Sequence, residues 1–235
     1  MNQRITNVRT KMKVQDLKAV LINNLKNVYY LTGFWGSNGT VLVTEERVVL
    51  FTDSRYTIHA HATCFPFVEI VETRNELEEA AKIVKDAAIH ELGFEDEITV
   101  AYQTRLATAF SGVSLRALSD FVMEFRLIKD ETEVATIRKA CSISDQAFLD
   151  VLEFIKVGQT TELEAATFLD FRMRELGASG VSFDIISAAG ERSAMPHATP
   201  SDRIISAGDA LTLDFGCLYN HYVSDMTRTI YAGHV

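Results

Sequence analysis

Only three of the 235 residues are cysteine, and Cys64, Cys141 and Cys217 stand far apart with no C-x-x-C pair among them. An odd count at wide spacing argues against a disulfide framework and against a cysteine zinc site, and leaves reduced thiols in a cytoplasmic protein as the expected state. No stretch approaches the roughly eighteen consecutive apolar residues of a membrane span. The opening M-N-Q-R-I-T-N-V-R-T-K-M-K has no apolar core of the kind a secretory signal needs. Basic runs of five or more are missing as well, and the formal net charge is -9. An acidic chain repels nucleic acid and anionic membrane surfaces, so neither is an expected partner. What is present, 47% hydrophobic and 23% charged residues, is ordinary for a soluble globular protein. The length suffices for one large domain or two smaller ones.

Hydrophobic periodicity predicts a helix over residues 3–13, with Ile5, Val8 and Met12 on one stripe, and a short buried strand at Ala19–Ile22. A second apolar segment, Val28–Leu31, closes at Gly33, and G-F-W-G-S-N-G around Trp35 reads as a turn rather than a phosphate cradle. Thr40–Val43 and Val48–Thr52 read as a hairpin. Asp53 is placed to cap a helix carrying His59 and His61, whose two-residue spacing points them apart and away from a shared metal. Phe67–Val71 reads as a strand, Asn75 as the cap of a helix over 76–90, 91–95 and 98–101 as strands, and 102–110 as a helix. Strands alternating with helices predict an α/β N-terminal domain, residues 1–127.

The second domain, 128–235, opens where F-R-L-I-K-D-E-T-E turns from apolar to charged. Asp130 with Glu133 and Thr161 with Glu164 have capping-box spacing, so each pair starts a helix. The first helix is predicted to bury Val134, Ile137, Cys141, Phe148, Val151 and Ile155. The second is predicted to bury Leu163, Ala166, Leu169, Met173 and Leu176, ending at Gly177. Strands follow, at 181–188 and then in a hairpin from Leu211 to Tyr231. Helices first and antiparallel strands later predict an α+β arrangement.

That hairpin carries two carboxylates, Asp214 and Asp225. If Tyr219–Asn220 is a two-residue turn, Leu218 faces His221 and Asp214 faces Asp225, with Cβ atoms about 4.5–5.5 Å apart. Two ionised carboxylates that close repel, and a cation between them would relieve the repulsion. A turn one residue longer loses the direct pairing. Spacing alone leaves two readings at even weight. In one, the aspartates hold a hard or borderline cation such as manganese or magnesium. In the other, one aspartate caps a turn and its partner pairs with Arg228. His197 lies in M-P-H-A-T-P-S-D-R, restricted by Pro196 and Pro200. It could move protons or donate to a carbonyl near neutral pH, although a lone loop histidine is more often a surface residue.

From about Lys129 onward the chain resembles the pita-bread metallopeptidases, specifically the Xaa-Pro aminopeptidase and prolidase group. Four blocks carry the resemblance: F-D-I-I-S-A-A-G (183–190), M-P-H-A-T-P-S-D-R (195–203), G-D-A-L-T-L-D-F-G (208–216) and Y-V-S-D-M-T-R-T (222–229). L-T-G-F (31–34) and F-T-D-S-R-Y (51–56) resemble the creatinase-type N-domain of the same group. The resemblance implies a fold in which a creatinase-like α/β domain precedes the first part of an α+β pita-bread catalytic domain. It implies two divalent metal ions, with manganese expected, Asp214 and Asp225 as metal ligands, and His197 as the group that contacts substrate and assists proton transfer. It also implies proline-containing peptides as substrates, a homodimer, and hydrolysis of the bond between an N-terminal residue and proline. Proline lacks an N–H and fixes φ, so that bond excludes many ordinary peptidases. Aminopeptidase and dipeptidase are not separated by these residues, and a creatinase-like amidinohydrolase is less favoured.

The family pattern requires three more ligands after the second aspartate, a histidine and two glutamates. Ten residues follow Asp225 here, with no glutamate, and His234 does not match the spacing and reads as a solvated tail residue. The chain is therefore expected to be the N-terminal portion of such a peptidase, with little or no activity alone. The strands from Leu211 to Ile230 are expected to present an uncovered edge and apolar face. A non-catalytic interaction or dimerisation module is the competing expectation.

Overall fold

The structure is a computed structural model that describes residues 2–233; His234 lies outside them. The chain divides into two units, Met1–Ile128 and Lys129–Val235.

In the first unit, strands β1 (Ala19–Ile22), β2 (Thr40–Thr44), β3 (Val48–Thr52), β4 (Glu69–Glu72), β5 (Glu91–Glu95) and β6 (Ser114–Leu118) form one sheet. Its order is β4-β3-β2-β1-β5-β6. The β1–β2 and β2–β3 pairs are antiparallel, while β3–β4, β1–β5 and β5–β6 are parallel. Successive side chains of a strand point to opposite faces, and here both faces are covered. Val20, Ile22, Val41 and Leu50 pack with Ile5, Val8 and Met12 of α1 (Gln3–Val14) and Val28 and Leu31 of α2 (Leu25–Thr32). Ala19, Leu21, Leu42 and Phe51 pack with Leu77, Ala80 and Val84 of α4 (Glu76–Asp86) and Leu106 of α5 (Val100–Ala109). Two short helices, α3 (Thr57–Thr63) and α6 (Met123–Leu127), complete this α/β unit.

Some local expectations give way. Residues 98–101 form no strand, because the Thr99 hydroxyl accepts from the Tyr102 amide at 3.1 Å and starts α5 at Val100. The apolar segment at Val28 belongs to α2, which Asn24 caps and Gly33 ends with φ of 79°. Asp53 does not cap α3. Its carboxylate accepts from the Arg55 amide at 3.0 Å and from the Arg55 guanidinium, closing a turn ahead of that helix. Asn75 stands at the N-cap of α4 but makes no side-chain capping bond. The sequence pattern also left β6 unread: its register against β5 is set by pairing rather than by a strong apolar alternation.

In the second unit, α7 (Glu131–Phe154) and α8 (Glu162–Glu175) each begin in a complete capping box, Asp130/Glu133 and Thr161/Glu164. The α7 stripe differs from the predicted one. Ala140, Ile143, Ser144, Ala147 and Val151 are buried, whereas Val134 and Cys141 are exposed. Small residues let the helix axis approach the sheet, so bulk was a poor guide to which face turns inward. On α8, Ala165, Ala166, Leu169 and Met173 are buried but Leu163 is exposed. The helices pack with Leu211, Leu213, Phe215, Cys217 and Met226.

Those residues come from two small antiparallel sheets. One has the order β12-β9-β8 and the other β11-β10-β7. The strands are β7 (Gly180–Val181), β8 (Ile186–Ala189), β9 (Ala210–Phe215), β10 (Cys217–Tyr219), β11 (Tyr222–Val223) and β12 (Met226–Tyr231). Burial alternates along β9: Leu211, Leu213 and Phe215 point to the helices, and Thr212 and Asp214 to the other face. The expected apolar open face is therefore a polar one, because the apolar parity is already covered by α7 and α8. The edge expectation survives in β12, which has a partner on one side in its sheet.

Candidate functional site

Asp214 and Asp225 are set by the hairpin between β9 and β12. Its turn is Asn220–His221, not Tyr219–Asn220, and both turn residues take positive φ, 46° and 68°. A two-residue hairpin loop with φ > 0 at both positions matches the strand twist, and asparagine and histidine tolerate that region better than tyrosine. The register moves accordingly. Tyr219 faces Tyr222, Leu218 faces Val223, and Asp214 faces Thr227. Continuing the count places Asp225 opposite Gly216, diagonal to Asp214. Asp225 and Thr227 are exposed while Ser224 and Met226 are buried, so Asp225 shares the open face with Thr227 and Asp214. Diagonal neighbours in a regular antiparallel pair stand about 7–8 Å apart, wider than the direct opposition expected from sequence. Asp214 is half-buried and accepts from the Thr227 hydroxyl at 2.6 Å. Arg228, the alternative partner for an aspartate, donates to the Thr227 carbonyl at 2.8 Å.

Between the two sheets the chain is pinned at Gly216 and Ser224. A Cβ on Gly216 would run into the Ser224 carbonyl and the Ser182 hydroxyl, so the glycine of L-D-F-G permits a close approach of backbones. The buried Ser224 hydroxyl accepts from the Cys217 amide at 2.9 Å and shares a 2.6 Å hydrogen bond with Ser144 of α7. Ser182 donates to the Ser224 carbonyl at 3.0 Å. The residue immediately before Asp225 is thus fixed through three elements.

His197 sits in the connection between β8 and β9, after the 3-10 turn Gly190–Ala194. It is exposed, and among the described residues its imidazole has no hydrogen-bond partner. The base of this connection is held by Glu162, the first residue of α8, which is fully buried. Glu162 accepts from the Ala189 amide, the Arg192 guanidinium, and the amide and hydroxyl of Ser201. Nearby, the Arg203 guanidinium reaches Asp209 with both terminal nitrogens and holds its carboxyl below the usual carboxylate range. Sequence reasoning missed Glu162 because an acidic residue in a first helical turn ordinarily answers the helix dipole; no spacing signal marked it out.

Two carboxylates on one polar sheet face have the oxygen chemistry a hard divalent cation takes. Among the described residues, no group of three or more His, Cys, Asp or Glu side chains is arranged to hold a metal ion. Asp214 and Asp225 fit a part of a metal site and do not by themselves make a two-metal centre.

Comparison with known proteins matches residues 4–128 to the creatinase/prolidase N-terminal domain and residues 135–235 to metallopeptidase family M24. An uncharacterized peptidase of Bacillus subtilis is 38% identical over 219 residues, which are 92% of this chain and 62% of that protein. An Xaa-Pro dipeptidase of Pyrococcus horikoshii is 33% identical over 99% of this chain and 65% of its own length. Among solved structures, an Xaa-Pro dipeptidase from Bacillus anthracis superposes with a TM-score of 0.92 at 37% identity, covering 99% of this chain and 65% of that one. The chain thus spans about two thirds or slightly less of the relatives it matches. No helix among the described residues is long and apolar enough to cross a membrane.

Proposed function

Because the chain belongs to metallopeptidase family M24, following a creatinase/prolidase N-terminal domain, we propose that it forms part of a metal-dependent peptidase cleaving between an N-terminal residue and proline. The observation that carries this reading is the placement of Asp214 and Asp225 as diagonal neighbours on one open, hydroxyl-rich sheet face, in a chain similar to Xaa-Pro dipeptidases over 99% of its length. In this proposal residues 1–127 are the N-terminal domain and 128–235 the catalytic portion. Asp214 and Asp225 are metal ligands, and the metal is a pair of manganese ions. Asp214 and Asp225 would contribute to holding such ions, which would supply Lewis-acid activation of water for peptide hydrolysis.

The chain's own residues supply the rest. The Thr227 hydroxyl occupies one lone pair of Asp214 Oδ1 and so orients the carboxylate, leaving Oδ2 available. Ser224 and Gly216 fix the backbone that presents Asp225. His197, exposed at the loop, donates to the substrate carbonyl or moves a proton. We place the protein in the cytoplasm as a homodimer acting on proline-containing peptides. Two carboxylates are too few to hold two divalent ions tightly, so these 235 residues alone are expected to cleave little or nothing.

The test is an assay with Mn2+ on Xaa-Pro dipeptides and on longer Xaa-Pro peptides, using the 235-residue chain and any longer product of its reading frame. Preference between the two substrates separates dipeptidase from aminopeptidase. Ordinary enzyme rates, or tight stoichiometric metal, in the 235-residue chain would overturn the incomplete-site part. Absence of Xaa-Pro cleavage in a longer product carrying a further histidine and two glutamates would overturn the peptidase reading and favour a non-catalytic module.

A further inference from the structure

We propose that Glu162 is a positioning residue for His197: its buried carboxylate closes the base of the loop that presents the imidazole. The inference deepens the reading of His197 as the proton-transfer group and rests on it.

The argument starts from cost. A carboxylate with no exposed surface is strongly unfavourable unless charge and hydrogen bonds compensate it. A residue serving only to fill space at this point would be apolar. Glu162 also does not serve its own helix. The N-terminal amides of α8 are answered without the Glu162 side chain: Thr161 and Glu164 form a complete capping box, and the Glu162 and Leu163 amides donate to the Arg203 and Ser201 carbonyls. All side-chain bonds of Glu162 instead go to the β8–β9 connection. Oε1 accepts from the Ala189 amide at 2.8 Å, where the strand ends. Oε2 accepts from Arg192 Nε at 3.0 Å on one side of His197, and from Ser201 Oγ at 2.7 Å and Ser201 N at 3.1 Å on the other.

One side chain therefore joins a residue five before His197 to a residue four after it. Two further ties tighten the ring. Arg192 Nη2 donates to the Thr199 carbonyl at 2.6 Å, inside the loop. The backbone of α8 holds the outgoing limb through Glu162 N to the Arg203 carbonyl and Leu163 N to the Ser201 carbonyl, both at 3.0 Å. Only a carboxylate can accept from these donors at once. Glutamine presents an NH2 to one set of them, and aspartate is one methylene short. With the base closed, the loop's freedom is that of a short ring rather than of a long connection. His197 stands in this loop with no partner of its own among the described residues, so the ring sets where its backbone presents the imidazole.

The test compares the wild-type chain with Glu162→Gln, Glu162→Asp and Ser201→Ala by amide hydrogen exchange and by NMR of the His197 imidazole, assigned with His197→Gln. In Glu162→Gln, amides of the 192–204 connection should exchange faster by on the order of tenfold or more while those of β9 and β12 hold. The His197 imidazole signal should move toward that of an unstructured peptide, with the His59 and His90 signals unmoved. Ser201→Ala, which deletes one donor, should change the same signals less, and it carries the test if Glu162→Gln does not fold. A folded Glu162→Gln or Ser201→Ala chain whose His197 signal and loop exchange match the wild type overturns the proposal. In a longer product that cleaves Xaa-Pro, Glu162→Gln should lower kcat by about 100-fold with little change in KM, the signature of misplaced chemistry. If instead His197→Gln leaves cleavage intact while Glu162→Gln still frees the loop, the reading of His197 has failed and the role of Glu162 in holding the loop stands.

Discussion

Strands β1 and β9 begin alike, A-V-L-I against A-L-T-L-D-F, and end in opposite settings. Every residue of β1 is buried, because helices cover both faces of the first unit's sheet. In β9 burial alternates, because α7 and α8 cover one face. A sheet closed on both sides has no parity at which a carboxylate can stand without a compensating partner. A sheet open on one side has such positions at every second residue, and Asp214 occupies one. The candidate chemistry thus follows from a missing layer as much as from any motif. A parity scan can break that contrast. Leu21→Ala and Ile22→Ala point to opposite faces of the first sheet and should each cost about 2–5 kcal/mol. In the second unit Leu213→Ala should cost a similar amount, while Thr212→Ala, losing an exposed bond to Thr229, should cost less than about 1 kcal/mol. Fluorescence of Trp35, the single tryptophan, reports the first unit, and exchange of the β9 amides reports the second. Equal costs at 212 and 213 would mean that the open face is packed after all.

The same contrast explains what the sequence disclosed. The capping boxes at Asp130 and Thr161 mark helix starts because that signal is local, whereas the apolar face expected to stand open on the 211–230 strands is the one α7 and α8 cover, a long-range fact. The M24 likeness was legible from four spaced blocks between 183 and 229, and the creatinase/prolidase N-domain likeness from L-T-G-F (31–34) and F-T-D-S-R-Y (51–56). The register of Asp214 was not: the expected direct opposition to Asp225 gives way to Thr227, because moving the turn from Tyr219–Asn220 to Asn220–His221 shifts every cross-strand partner by two. The α7 stripe is legible at its C-terminal end, where Phe148, Val151 and Ile155 reach the core, but not at Ala140, Ser144 and Ala147, because apolar bulk does not mark small residues as interior. Glu162 was invisible for a further reason: its partners at Ala189, Arg192 and Ser201 are brought to it only by the fold.

Glycines sharpen the comparison at the next level of effect. Gly93 on β5 of the first unit and Gly216 of the second are both too crowded for a Cβ. The atoms in the way differ. At Gly93 they are the tips of Leu118, Leu17 and Val20, which can turn aside. At Gly216 the obstacle is the Ser224 backbone, tied to Cys217 and Ser182. Overpacking costs about 1–3 kcal/mol where side chains yield and more where backbone must move. Gly216→Ala should therefore unfold at lower urea than Gly93→Ala. Ser224→Ala, which strands the Cys217 amide and the Ser144 hydroxyl, should cost about 1–3 kcal/mol. If Gly93→Ala proved the worse of the two glycine variants, the pinned crossing beneath Asp225 would be looser than its contacts imply.

The smallest expected difference concerns acid, and its sign separates one carboxylate in each unit. Arg203, by hydrogen bonding first and by charge, holds the Asp209 carboxyl below its ordinary value in the second unit. A carboxyl depressed in the folded state contributes stability that is present above its unfolded pKa of about 3.9 and is lost as pH falls through the folded value. Glu95 in the first unit is shifted the other way, raised chiefly by burial and only partly restored by the amides of Asn23 and Asn24 and the side chain of Asn27. Its charged form is penalised in the folded state, so acid relieves that penalty as pH falls through the raised value toward the unfolded one. Below about pH 4 the second unit should therefore lose stability through Asp209, while Glu95 contributes no such loss to the first. Arg203→Met should flatten the acid limb of β9 amide protection by at most about 1 kcal/mol, because the pair is partly exposed. Unchanged acid sensitivity of β9 in that variant would remove Asp209 as its source and leave the other acids of the second unit, Asp150 beside Arg172 first among them, to account for it.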